Sequence, residues 1–237
     1  MRLAAFISGG KDSLYAAYLA TKEGHSIECL VAFISENPES YMFHTPNIRL
    51  VKKIAECTGL PLLEVPTKGE KEKELADVRA ALKKLGTKID GVVCGAIAST
   101  YQMKRIEGIA ADLGLACVAP LWKRDQLDVV KSEIRDGMKA IFVHVAAAGL
   151  DEKWLGRGLD EASLSDLLEL NRKYKVSVAG EGGEFETLVL DCPLYVKGRL
   201  EIVDAEQRWD AKARSGTFVV KKAAVVSAGK VLKNSSV

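Results

Sequence analysis

Two hydrophobic rhythms alternate along the first half of the chain. Short, nearly continuous apolar runs at residues 3–7, 27–34, 60–65, 92–97 and 116–121 are rich in β-branched residues and bounded by turn formers, which predicts buried strands. Between them, apolar positions recur at helical spacing over residues 13–22, 47–57, 70–85 and 101–113. Thr45 before Pro46 predicts an N-cap with a first-turn proline, and Gly24, Gly59, Gly86 and Gly114 stand where helices would end. This alternation predicts right-handed crossovers and an α/β fold, a doubly wound parallel five-stranded sheet covered on both faces. Ligands of such sheets bind beyond the carboxyl ends of the strands.

After Leu121 the rhythm changes. A helix near 125–135, an apolar strand at 140–145, a glycine-bearing loop at 149–159 and a helix near 163–174 precede a tail of β-forming residues from Leu188 onward. The expected division is a domain over residues 1–121 and a smaller α+β domain over 122–237. No low-complexity linker or internal repeat separates them, so they should pack closely.

Composition acts mainly by exclusion. The 237 residues suffice for a sizeable core, and 34 Lys and Arg against 32 Asp and Glu leave a net charge of +2. Such a balance does not suggest a nucleic-acid coat, and no nucleic-acid partner is expected. No apolar segment reaches the roughly 20 residues needed to cross a bilayer, and residues 8–13 interrupt the first apolar run too soon for a secretory signal. A soluble, cytoplasmic protein without a membrane partner is expected. Cys29, Cys57, Cys94, Cys117 and Cys192 include no CxxC pair, and His25, His44 and His144 are dispersed, so no Cys/His metal site is predicted. Cys29, Cys94 and Cys117 lie in apolar runs and read as core.

The candidate chemistry lies in three stretches. The first is SGGKDS, Ser8 to Ser13, at the corner between the first strand and first helix. It is too short for a Walker A loop and lacks the GxGxxG pattern. Gly9 and Gly10 still permit close backbone approach, and the helix start offers free N–H groups and a positive dipole end to a phosphate. Asp12 would repel a phosphate unless Mg²⁺ lay between them. An ordinary capped helix start would use similar residues, but all six at this strand end favour the phosphate cradle.

The second stretch, CGAIASTYQMKRIE at residues 94–107, puts Gly95 at a strand end with Gln102 and Arg105 three apart on one helix face. Arg105 suits a phosphate or carboxylate, or else belongs to a solvated face. The third, GEGGEFETLVLDCPL at residues 180–194, crowds Glu181, Glu184 and Glu186 around a turn with Gly182 and Gly183. Like charges so close ask for a cation or hydrogen-bond donors, unless the turn is merely exposed.

SGGKDS at this position resembles the pyrophosphate-binding loop of the N-type ATP pyrophosphatases, a branch of the adenine nucleotide alpha hydrolase-like (HUP-type) fold. With SENPESYMFHTPN at residues 35–47, the three stretches together resemble the diphthine–ammonia ligase family, from the N-terminus through about Leu194. Some members of that family continue into further C-terminal domains, so this chain would be the compact form. The resemblance implies an enzyme that amidates diphthine on translation elongation factor 2, using ATP, Mg²⁺ and ammonium. Residues 1–121 would then bind ATP and residues 122–237 would recognise the substrate.

The resemblance implies that Ser8, Gly9, Gly10, Asp12 and Ser13 grip the β- and γ-phosphates with help from Lys11, and that Asp12 holds the metal. Adenine would lie near Ala32, Phe33 and Ile34, and ribose near Gly95 and Ile97. Tyr101, Gln102, Arg105, Glu181, Gly182, Gly183, Glu184 and Glu186 would face the substrate. Lys11, Asp12, Ser13, Arg105 and Glu184 are the expected catalytic group. The acidic turn could hold ammonium or the trimethylammonium of diphthine, and the sequence leaves both open, along with assembly into a homo-oligomer. Two other readings stand beside this one: a tRNA-modifying ATP pyrophosphatase of thiolase or lysidine type, and a non-enzymatic ATP-binding sensor.

Overall fold

A computed structural model describes residues 1–35, 46–69 and 74–227. The motif at residues 35–47 lies almost wholly outside this set, as do Thr45 and the start of the helix expected from residue 70. Five strands, β1 (Arg2–Phe6), β2 (Ser26–Ser35), β3 (Leu62–Thr67), β4 (Gly91–Val93) and β5 (Ala116–Val118), form one parallel sheet in the order β3-β2-β1-β4-β5. Helices α1 (Lys11–Lys22), α2 (Val51–Thr58), α3 (Glu74–Leu85) and α4 (Thr100–Asp112) connect them. This is the expected doubly wound α/β sheet.

The twofold period of β1 sorts the two faces. Leu3 and Ala5 join a core with Leu14 and Ala17 of α1 and Ile54 of α2, whereas Ala4 and Phe6 join one with Val78 of α3 and Ile106 of α4. Burial on both faces explains why these strands read as continuous apolar runs. Pro66 is accommodated because β3 is a sheet edge, where a missing N–H breaks no inner ladder. Gly59 ends α2 in the left-handed region at φ 74°, as its position in the sequence predicts.

Several elements begin or end differently from expectation, among them β5, which stops at Val118 rather than at residue 121, and α1, which starts at Lys11 rather than at residue 13. The helix expected from residue 47 opens as a 3₁₀ turn, Ile48–Leu50, before α2, with Asn47 at φ 65°. The strand expected over 92–97 stops at Val93, and the next six residues form a loop above the sheet.

The second half contributes α5 (Gln126–Arg135), β6 (Lys139–Val145), α6 (Glu161–Tyr174), β7 (Phe185–Asp191), β8 (Gly198–Asp210) and β9 (Ser215–Ser227). Its four strands make an antiparallel sheet in the order β7-β6-β9-β8. A reciprocal capping box between Asp160 and Ser163 starts α6. The two sheets share one core: Val129 and Val130 of α5, Phe142 and Val143 of β6 and Leu188 of β7 are buried in continuity with the α1 side of the parallel sheet. That shared core fixes β7 against the carboxyl end of β1.

Candidate active site

Strand order reverses at β1 and β4, so the segments leaving these strands part to form a crevice. A cleft of about 500 Å³ opens there. Ser8, Gly10, Lys11, Asp12 and Ser13 line one side and Gly95, Ser99 and Gln102 another, while Glu181, Gly182, Gly183, Glu186 and Thr187 close it from the second half of the chain.

The SGGKDS loop is cross-linked to itself. The Ser8 N–H donates to Ser13 Oγ at 3.3 Å, Ser13 Oγ donates to the Gly10 carbonyl at 3.0 Å, and the Gly10 N–H donates to Ser8 Oγ at 3.4 Å. Gly9 takes φ 89°, the left-handed region that a turn this tight requires. Gly10 at the N-cap of α1 has no side chain of its own to offer, and the helix start keeps the positive dipole end expected of a phosphate cradle. The second half finishes the loop: the Val189 N–H donates to the Gly9 carbonyl at 2.9 Å, and the Lys11 N–H donates to Thr187 Oγ1 at 3.1 Å.

Gly95 serves the architecture. A Cβ there would lie 2.6 Å from the Asp12 carbonyl carbon and from the Ser13 nitrogen, so the missing side chain is what lets the β4 loop rest against α1.

The Lys11 side chain is 1% exposed and turns away from solvent, reaching Asp12 Oδ1 at 2.5 Å and Glu133 Oε2 at 3.6 Å. Burial alone would lower its pKa, but the adjacent Asp12 and Glu133 carboxyl groups outweigh burial and hold it above the ordinary lysine range. Glu133 on α5 is wholly buried, and burial pushes its carboxyl well above the usual range against the pull of Lys11. Sequence reading passed over Glu133. The available signal was its place three and four residues after the buried Val130 and Val129, a carboxyl on the apolar stripe of a helix.

The three glutamates of the acidic turn part company. Glu181 Oε2 accepts from the Ala98 N–H at 2.8 Å, tying the turn to the loop after β4. Burial raises its pKa and this hydrogen bond opposes the rise. Glu186 borders the cleft, and burial first, then the charge of Asp12, pushes its carboxyl up to about 7. Glu184, the expected catalytic member, is occupied elsewhere: Oε1 accepts from the Ser177 N–H at 3.0 Å and Oε2 from the Gly182 N–H at 2.8 Å. Its carboxylate shapes the turn and is not among the groups lining the cleft.

Other expected residues also stand back from the cleft. Of Ala32, Phe33 and Ile34, Phe33 lines it, in edge contact with Phe6 at 5.4 Å, while Ala32 and Ile34 pack against the opposite core. Ile97 is 1% exposed and belongs to the core. Gln102 faces the cleft, but the Arg105 guanidinium stacks on Tyr101 at 3.4 Å and bonds the Tyr101 carbonyl, and neither residue is part of the lining. Thr187, unremarked in the sequence, is a lining residue. Cys29 and Cys94 are buried in the core on the α3 and α4 side of the sheet and Cys117 packs against it, as their apolar runs predict.

Among the described residues no three His, Cys, Asp or Glu side chains are grouped to hold an ion. One carboxylate at Asp12 with serine hydroxyls nearby suits Mg²⁺, which keeps most of its shell as water and phosphate oxygens. No helix among the described residues is long and apolar enough to cross a membrane.

Comparison with known proteins identifies the family. Residues 1–117 match the model of the diphthamide synthase N-terminal domain, and residues 125–226 that of the C-terminal domain. The chain is 40% identical over 218 residues to diphthine–ammonia ligase of Mus musculus, covering 83% of this chain and 81% of that protein. To the Danio rerio diphthine–ammonia ligase it is 39% identical, covering 83% and 85%. A solved chain from Methanocaldococcus jannaschii, described as a predicted subunit of tRNA methyltransferase, is similar with a TM-score of 0.45 at 14% identity, over 81% of this chain and 98% of that one. With both of its domain models matched in order and a two-sided cleft between them, the chain belongs to the diphthamide synthase, or diphthine–ammonia ligase, family.

Proposed function

We propose that the protein is an ATP-dependent ligase that converts the carboxylate of diphthine, on elongation factor 2, to an amide with ammonium, releasing AMP and pyrophosphate. One observation carries the reading: residues of the SGGKDS loop and Glu181 and Glu186 of the acidic turn line one cleft. Relatives that bear the name diphthine–ammonia ligase support the choice of acceptor.

ATP lies across the strand ends with its phosphates on the SGGKDS loop and its base toward Phe33. The diphthine carboxylate attacks the α-phosphorus, the bond to the β-phosphate breaks, and pyrophosphate leaves from a loop of backbone amides and the Ser8 and Ser13 hydroxyls. Mg²⁺ held at Asp12 supplies further neutralisation of the leaving charge when bound. Ammonia then attacks the acyl-adenylate carbonyl, the bond to AMP breaks, and the amide forms.

Ammonia arrives at neutral pH as ammonium and needs an acceptor for its proton. Glu186 is the better candidate than Glu184, because its carboxyl faces the cleft with a pKa of about 7, poised to take a proton near neutrality. Glu181 supplies a second negative charge beside it. The test is product analysis with ATP, Mg²⁺, ammonium and diphthine-bearing elongation factor 2. AMP and pyrophosphate formed only when ammonium and the modified protein are both present would establish the ligase. AMP formed with tRNA in place of the factor would reject it.

A further inference from the structure

Lys11 stands between two unequal partners. Asp12 takes one of its N–H bonds at 2.5 Å, whereas Glu133 waits at 3.6 Å, beyond hydrogen-bond range. Glu133 is 0% exposed, and neither of its carboxyl oxygens has a hydrogen-bond partner. A buried polar group left unpaired is costly, and such groups in a native fold call for an explanation. Here the nearest donor is an ammonium already held by a residue that also faces the cleft.

We propose that Glu133 is a positioning residue of the nucleotide site: the buried acceptor onto which Lys11 shifts when Asp12 turns to the cation-bearing phosphates of ATP. The inference rests on the ATP reading above. Lys11 is enclosed, so losing Asp12 with no substitute would strand a buried ammonium, and Glu133 removes that obstacle at the cost of a small side-chain movement. Charged or neutral, its carboxyl keeps an oxygen that can accept from Lys11, so no proton need move. Because Glu133 belongs to α5, the same contact couples nucleotide binding to the half of the chain that supplies the acidic turn.

The test is calorimetric titration of the full chain with α,β-methylene ATP, once with Mg²⁺ and once with a chelator. In Glu133→Met, which keeps the bulk and removes the acceptor, affinity for the Mg²⁺ form is expected to fall about tenfold, with the metal-free nucleotide little changed. Glu133→Gln keeps a carbonyl acceptor and should stay within about threefold of the parent. Equal weakening with and without Mg²⁺, or none, would overturn the role of Glu133. A parent protein that binds neither form would instead reject the nucleotide reading itself. Should Glu133→Met not fold, Lys11→Met and the double variant Lys11→Met/Glu133→Met decide. Glu133 acts only through Lys11, so both should bind the Mg²⁺ form alike, and a further loss in the double variant would contradict the proposal.

Discussion

The backbone N–H of Lys11 donates to Thr187 Oγ1 at 3.1 Å, joining the loop after the first strand to a residue 176 positions later. The proposed phosphate cradle is thus assembled by both halves of the chain. Thr187→Val keeps the shape and leaves a buried amide unpaired, at a cost of about 1–3 kcal/mol. The expected outcome is a lower melting temperature and several-fold weaker ATP binding, with Thr187→Ser restoring both. Calorimetry on the three proteins checks it.

Asp12 is partly open to the cleft and lies one residue into α1, where it is not needed to form the helix. Asp12→Ala should abolish pyrophosphate release while the far-ultraviolet circular dichroism stays that of the parent. A variant that still releases pyrophosphate at the parent rate would remove the loop from the mechanism.

Gly95 sets a steric prediction. Its hypothetical Cβ meets the backbone of Asp12 and Ser13 at 2.6 Å, and backbone cannot step aside as a flexible side chain can. Gly95→Ala should therefore shift the start of α1 and weaken ATP binding by at least about fivefold, an overpacking cost of about 1–3 kcal/mol. Binding isotherms of the folded variant read this directly.

The sign of the pH dependence follows from Glu186. Its folded pKa, about 7, lies above the ordinary carboxylate value of 4.5, so folding favours its protonated form. The associated stability is fully present below pH 4.5 and is lost as pH rises through about 7. Glu186→Gln removes this loss, and the variant should melt higher than the parent at pH 8 but not at pH 4. The effect is expected to be about 2 kcal/mol once the carboxyl's partial contact with the cleft is allowed for. Activity should move oppositely. In the parent, the ammonium-dependent rate rises as pH passes 7, and in Glu186→Gln that rise disappears.

Glu184 separates the turn's shape from its charge. Removal of both acceptors in Glu184→Ala leaves the Ser177 and Gly182 amides without their carboxylate. The turn should loosen, so that the Michaelis constants for ammonium and for the protein substrate rise together. An increase confined to ammonium would return Glu184 to the ammonium site.

The elements that local pattern dictates were legible from the residues. Continuous apolar runs and the glycine after α2 follow from short-range geometry, and they place SGGKDS at the carboxyl end of the first strand, whereas the strand order that opens a crevice there comes from pairing between distant segments. The chemistry of the acidic turn was harder to apportion. Glu184 and Glu186 share a face by strand period, but the turn folds the first back onto its own amides, and only β7 settles which carboxyl meets the cleft. Glu133 and Thr187 were missed because each matters only through packing across more than 100 residues. The setting of Arg105 was hidden for a related reason. Its charge suggested a ligand, yet Tyr101, four residues before it on the same helix, holds the guanidinium against its ring.

The central claim is that the diphthine carboxylate is activated by AMP in this cleft, and oxygen transfer tests it most directly. Elongation factor 2 carrying diphthine with both carboxylate oxygens labelled as ¹⁸O is turned over with unlabelled ATP and ammonium, and the AMP is examined by mass spectrometry. An acyl-adenylate predicts one ¹⁸O in AMP and one in the product amide. AMP without label, or label in a phosphate released alongside ADP, would contradict the account.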